Sequence, residues 1–194
     1  MAQPYDIQTY LLDKENIRDT LLRMMFAYDH HLPLTPTLIN QVYTPQITIN
    51  YPNTLIGTGR EEMTSQTWAE RLEGFHDAYD TTEHIIQFVT PTTFSHFRWN
   101  RKDEVDGCER NLLAHLPQPS PTTTRPETCR VNAYAHGYFY KLDEKGLPRE
   151  MARRQGGYYD LEMVRVKEIE ERGENPWRIR VQDVSLDWQD LPKE

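Results

Sequence analysis

Three long alternating stretches in the second half of this chain limit its fold more than any other feature. Residues 128–142, 155–166 and 177–188 are read as strands, separated by Asp143-Glu144-Lys145-Gly146 and by Arg172-Gly173-Glu174-Asn175. Alternation with period two sends successive side chains to opposite faces, and short turn sequences join neighbouring runs antiparallel. The three runs are therefore expected to form an antiparallel meander. Another run opens at His84, where His84, Ile86 and Phe88 alternate with Ile85, Gln87 and Val89, with a continuation through 94–99.

The first third of the chain has the helical period instead. Over 14–31, Ile17, Leu21, Met24, Met25 and Tyr28 recur near a spacing of three to four, with Asp13 as the expected N-cap and Pro33 as the stop. Thr35 before Pro36 signals a short second helix with Leu38, Ile39 and Val42 on its buried side. A strand over 46–51 alternates Ile47, Ile49 and Tyr51 with Thr48 and Asn50. After Gly57-Thr58-Gly59, Met63, Thr67, Trp68, Leu72 and Phe75 lie on roughly one face of a third helix expected over 60–75. Three helices thus precede most of the sheet.

The chain of 194 residues fits one domain spanning 1–194, carrying an insertion at about 100–127. The second half of that insertion, Pro-Gln-Pro-Ser-Pro-Thr-Thr-Thr-Arg-Pro, is expected to be a mobile loop because proline cannot supply a regular ladder. Its role is open between a plain surface loop and a lid. A net charge of −8 argues against a nucleic-acid partner, which needs clustered Lys and Arg. There is no basic leader and no run of about 18 apolar residues, so neither secretion nor membrane spanning is expected and the location is read as cytoplasmic. Cys108 and Cys129 lack a C-x-x-C partner and read as free thiols. The absence of phosphate-binding or dinucleotide glycine motifs and of G-x-S-x-G leaves no cofactor implied. His30 and His31 follow Asp29, but adjacent helical residues point about 100° apart, so no metal is expected.

Two residues carry most of the chemistry. Asp29 is a negative charge at a helix C-terminus, where the helix dipole disfavours it, and this placement asks for a compensating partner. A carboxylate that fixes the tautomer of an imidazole makes a proton-transfer pair without metal or cofactor, and His84 shares strand parity with apolar residues. Tyr51 and Tyr159 suit either core or ligand contact. His136 shares a face with Tyr134, Tyr138 and Tyr140, lining either a polar cavity or a dimer surface. Trp68, Trp177 and Trp188 read as core packing, and Arg153 and Arg154 as cavity rim or surface charge.

The order Phe26-Ala27-Tyr28-Asp29, Thr82-Glu83-His84, Gly156-Gly157-Tyr158-Tyr159 and Trp177-Arg178-Ile179 resembles the SnoaL-like group of the nuclear-transport-factor-like superfamily, over roughly 17–188. Scytalone dehydratase, bile-acid dehydratase and small polyketide cyclases belong to that group. The resemblance implies an α+β fold, a cone-shaped barrel with three N-terminal helices packed on a strongly curved, mostly antiparallel sheet. It implies Asp29 and His84 as the catalytic pair, and Tyr28, Tyr51, His136 and Tyr159 are taken with them as candidate substrate contacts. Tyr51 matches the tyrosine that holds a substrate carbonyl through water in scytalone dehydratase. The later-strand Ser and Asn of that enzyme are unmatched, and Tyr134-Ala135-His136-Gly137 stands in their place. A weaker likeness at Arg98-Trp99, Asp103-Glu104-Val105 and His115 would bring His115 in as a second histidine. The implied activity is that of a cofactor-independent lyase or isomerase, of dehydratase or cyclase type, on a cyclic polyketide- or terpenoid-derived metabolite. A non-catalytic ligand-binding or protein-docking module of the same fold is the alternative. Strands with large residues on both sides, such as Tyr138, Tyr140, Met163 and Val181, lead us to expect a homodimer through the outer sheet face.

Overall fold

The computed structural model describes residues 4–29, 33–52, 59–76, 81–87, 113–145 and 147–190. After a two-residue strand β1 (Pro4–Tyr5), helix α1 runs over Ile7–Tyr28, about two turns earlier than its apolar stripe suggests. Its cap is Asp6, whose Oδ1 accepts the Thr9 amide at 2.7 Å, whereas Asp13 lies inside the helix and is fully buried. The stripe itself is as expected: Ile17, Leu21, Met24, Met25 and Tyr28 are all buried.

Helix α2 (Leu34–Thr37) follows Pro33 and passes into a π-helical turn, Leu38–Val42. Thr35 lies inside α2 and does not cap it; its hydroxyl donates instead to Glu73. Strand β2 (Tyr43–Tyr51) then pairs antiparallel with β3 (Gly59–Thr64), so the first part of the helix expected over 60–75 is a strand. Gly59, at φ 83°, occupies a left-handed conformation at the start of β3. Ladder pairing of Met63 with Ile47 outweighs the helical spacing of Met63 with Thr67. The helix α3 (Ser65–His76) begins only where Thr64 Oγ1 accepts the Thr67 amide at 3.0 Å.

The remaining elements are β4 (Thr81–Gln87), β5 (Leu113–Ala114), β6 (Ser120–Thr124), β7 (Thr128–Leu142), β8 (Pro148–Arg165), α4 (Lys167–Glu170) and β9 (Trp177–Asp190). The main sheet has the order β3-β2-β9-β8-β7-β4, with β5 also on β7; among the described strands only β2 and β9 run parallel. The expected meander is β7-β8-β9, and β7 has the bounds read from the sequence. The sheet is curved and unclosed, with β3 and β4 at its edges, and the helices precede most of it, as the cone-shaped α+β reading requires. Residues 88–112, including the expected strand continuation at 94–99 and Cys108, lie outside the described residues.

The inner sheet face and α1 share one core. On β7, Val131, Ala133, Ala135 and Phe139 are buried while the alternate residues are half-exposed; on β8, Tyr159, Leu161 and Met163 are buried. A bulge between Gly156 and Gly157 shifts the β8–β9 register. A Cβ on Gly157 would stand 2.4 Å from the Ser185 carbonyl oxygen, so only glycine permits this approach.

The proline-rich half of the insertion is a strand with a fixed anchor. Strand β6 pairs with β1 in a separate two-stranded sheet, where prolines are tolerated because there is little ladder to interrupt. Arg125 forms a bidentate pair with Asp13, Nε to Oδ2 at 2.9 Å and Nη2 to Oδ1 at 2.6 Å. Asp13 lies 16 residues before Asp29 on α1, and a rise of about 1.5 Å per residue separates them by about 24 Å. The Arg125 anchor therefore sits about 24 Å along α1 from Asp29. No helix among the described residues is long and apolar enough to cross a membrane.

Candidate active site

Asp29 ends α1 at φ −95° and ψ 15°, with its own N–H donating to the Met25 carbonyl at 2.9 Å. The side chain turns inward: Asp29 is buried, and its charge is among the influences that raise the pKa of the Tyr159 phenol. The carboxylate thus acts on Tyr159, one of a set of phenols on the inner side of the sheet.

Those phenols form a continuous buried chain. Tyr28 Oη lies 2.8 Å from Tyr43 Oη; Tyr43 donates to Gln182 Oε1 at 2.5 Å; Gln182 Nε2 donates to Tyr51 Oη at 2.9 Å. Tyr51 and Tyr159 end it with their oxygens 3.4 Å apart. Period two on β2 puts Tyr43, Ile47, Ile49 and Tyr51 on one face, and α1 supplies Tyr28 from the buried side of its last turn. Gln182 arrives from β9 in register with Ile49, and Tyr159 from β8 opposite Ala133. Trp68 on α3 closes the group, its ring 5.2 Å from that of Tyr51 and its buried indole N–H near enough to Tyr28 and Tyr43 to favour their ionised forms slightly.

Burial sets the protonation of this group. It is the largest cause of the upward shift at each of Tyr28, Tyr43, Tyr51 and Tyr159, with neighbouring phenols adding to it at Tyr43, Tyr51 and Tyr159. All four remain neutral well beyond neutral pH. They act as hydrogen-bond donors and acceptors, not as bases.

His84 is placed by its backbone on β4, opposite Gly137, with its side chain outside the described set. That register position has the parity of Ala133 and Ala135, the inner-facing residues of β7, and α1 packs against β4. Gln155 pairs with the other side of Gly137, and its Oε1 is buried without a hydrogen-bond partner among the described residues.

Two expected contacts fall on the wrong face. His136 is half-buried on the outer side of β7, its ring edge-on to Trp188 at 5.6 Å, because the alternation that buries Ala135 turns His136 outward. His115 follows β5 as an exposed residue, with Nε2 2.7 Å from Asn132 Oδ1 on that same outer side. The structure therefore brings Tyr28, Asp29, Tyr51 and Tyr159 together and leaves His136 and His115 out.

Tyr43, Gln182 and Gln155 belong to the inner face although the sequence did not single them out. The shared parity of Tyr43 and Tyr51 on β2 carried a signal for the first. Gln182 carried none, because it faces inward only through a bulge: Ile179 pairs with Met163 and Val181 with Glu162, so Arg180 is an extra residue that reverses the alternation.

The family model for the SnoaL-like domain matches residues 9–182. No curated protein sequence matches the chain. Solved structures do. The Kfla4162 protein from Kribbella flavida superposes with a TM-score of 0.61 at 15% identity, covering 92% of this chain and 93% of that one. A candidate scytalone dehydratase from Novosphingobium aromaticivorans gives 0.58 at 12% identity, covering 96% and 92%. ActVI-ORFA from Streptomyces coelicolor gives 0.52 at 14% identity, covering 90% and 96%. At these identities the superpositions establish the fold.

Proposed function

Since the chain belongs to the SnoaL-like domain family, we propose that it is a cofactor-independent lyase or isomerase that moves a proton on a cyclic, polyketide- or terpenoid-derived ketone. The reading takes the chain as one such domain and rests on one observation above others. A buried carboxylate, Asp29, acts on the neutral buried phenol of Tyr159 on the inner face where His84 has its register position. The dehydratase named among the superposed structures is consistent with it.

In this mechanism His84 removes a proton from the carbon beside the substrate carbonyl, and Asp29 orients the imidazole and stabilises its charged form. Negative charge then develops on the carbonyl oxygen. Tyr51 donates to it, from a site where burial keeps its own proton in place. His84 can return the proton to a leaving hydroxyl, completing a dehydration, or to carbon, completing an isomerisation. Tyr28 and Tyr159 flank this centre and shape the ground for the ring.

Exchange of the α-protons of a bicyclic ketone in D2O, followed by NMR, tests this chemistry without knowledge of the natural substrate. Replacing His84 by Ala should reduce exchange by about 10² to 10⁴, with thermal stability nearly unchanged. Groups that work as a unit are non-additive, so Asp29→Asn combined with His84→Ala should cost hardly more than His84→Ala alone. Undiminished exchange in a folded His84→Ala protein overturns the mechanism.

A further inference from the structure

We propose that Gln182 is a positioning residue that fixes the direction of the Tyr28-Tyr43-Gln182-Tyr51 hydrogen-bond chain so that Tyr51 presents its proton to an oxyanion or carbonyl acceptor in the site. This deepens the reading above and rests on it.

The direction follows from the donors available. A phenol has one proton, and an amide oxygen only accepts. Tyr43 has two acceptors in reach, Gln182 Oε1 at 2.5 Å and Met24 Sδ at 3.4 Å, and the amide oxygen is both nearer and stronger. With the Tyr43 proton on Gln182, the 2.8 Å contact to Tyr28 is donated by Tyr28. The amide's other end is then a donor, and Gln182 Nε2 gives its proton to Tyr51 Oη at 2.9 Å. Tyr51 accepts within the chain and keeps its own proton for a further partner. Its remaining phenol neighbours among the described residues are Tyr159, at 3.4 Å and beyond the usual O–H···O range, and Tyr28, whose own proton goes to Tyr43.

The opposite amide orientation would reverse every step and draw the Tyr51 proton back onto Gln182. The distances oppose that arrangement. A separation of 2.5 Å suits O–H···O and is short for N–H···O, while 2.9 Å is ordinary for N–H···O. Full burial of Gln182 keeps water from competing for either end. Successive bonds in a low-dielectric interior polarise one another, so Tyr51 at the end of the chain is a stronger donor than an isolated phenol. Tyr43 and Gln182 touch no reacting atom in this account; they act through Tyr51.

The carbonyl stretch of bound 1-indanone, read by infrared difference spectroscopy, reports donation by Tyr51 directly. In the native protein the band should lie below its position in apolar solvent. Tyr51→Phe should raise it and weaken ketone binding about 5-fold, the effect of one net hydrogen bond. Gln182→Met, of similar shape but without the amide, should move the band at least half as far in the same direction. Gln182→Glu should hold the native position, because burial keeps the introduced carboxyl protonated and able both to accept from Tyr43 and to donate to Tyr51. If Gln182→Met does not fold, Tyr43→Phe removes the donor that orients the amide and should raise the band by a smaller amount. A band that responds to Tyr51→Phe but is unmoved in the folded Gln182→Met or Tyr43→Phe protein overturns the role of Gln182 alone. Absence of ketone binding, or a band indifferent to Tyr51→Phe, overturns the site reading and this inference with it.

Discussion

Removing Arg125 should destabilise this protein far more than removing an ordinary surface arginine. Its guanidinium holds the carboxylate of Asp13 through two bonds, 2.9 and 2.6 Å long, and Asp13 is 0% exposed. Trp177 Nε1, itself on a buried ring, also donates to that carboxylate at 2.9 Å. Arg125→Met retains the aliphatic stem, so the change deletes charge and hydrogen bonds while leaving little cavity. Breaking a buried pair from one side costs about 3–5 kcal/mol, since the carboxylate stays dry without its countercharge. For 194 residues, an unfolding entropy of about 2.1 cal/mol/K per residue gives about 0.4 kcal/mol/K, so the midpoint should fall by roughly 7–12 °C. Equilibrium urea unfolding followed by tryptophan fluorescence, with calorimetry beside it, measures both quantities. The companion Asp13→Asn should be destabilising as well, and the double variant should lose clearly less than the two singles together. A loss below about 1 kcal/mol in Arg125→Met would place the pair among solvent-screened surface pairs and refute the anchoring of the proline-rich segment.

Burial pushes the Cys129 thiol up to about 12 from the usual 9.0, so native protein at pH 8.5 should resist alkylation at this residue and urea-unfolded protein should react at once. Because the folded value is the higher one, the linked stability is complete below about pH 9 and is lost as pH rises towards 12; rapid labelling of the native thiol at pH 8.5 would contradict this. Gly157→Ala drives a methyl onto the backbone oxygen of Ser185, whereas Gly156→Ala meets only the Trp188 ring, which is 37% exposed and able to move. Thermal unfolding should therefore show the larger loss for Gly157→Ala, and equal losses would count against a rigid bulge. The half-exposed outer residues Tyr134, His136, Tyr138, Tyr140 and Tyr158 are proposed as the homodimer face, so sedimentation at micromolar concentration should show a species near twice 23.0 kDa. A strictly monomeric protein would remove that role from the outer face.

How much of this was readable in advance depended on whether a local pattern had a local cause. The meander was legible because period two and turn residues operate within one stretch, and β7 came out with its read bounds. The inward stripe of α1 was legible for the same reason, although its start was not: Asp6 and Asp13 are both acceptable caps by residue type, and burial of Asp13 beside Arg125 decides between them. The segment 60–64 misled because spacing alone fits a helix, while its partner β2 is a neighbour only in the folded sheet. The insertion misled similarly, since composition describes what proline cannot do and says nothing of a distant carboxylate that holds Arg125.

The sequence by itself determined the α+β order, the meander and the inward stripe of α1. Parity along single elements is enough for that, whereas the grouping of Tyr28, Asp29, Tyr51 and Tyr159 came from the family resemblance. Tertiary structure decided the rest. It turned His136 outward, because Ala133 and Ala135 are buried in the core and their alternates cannot be. It also turned Gln182 inward through one extra residue, Arg180, in β9. A bulge is a property of two strands in register, and no pattern within either strand contains it.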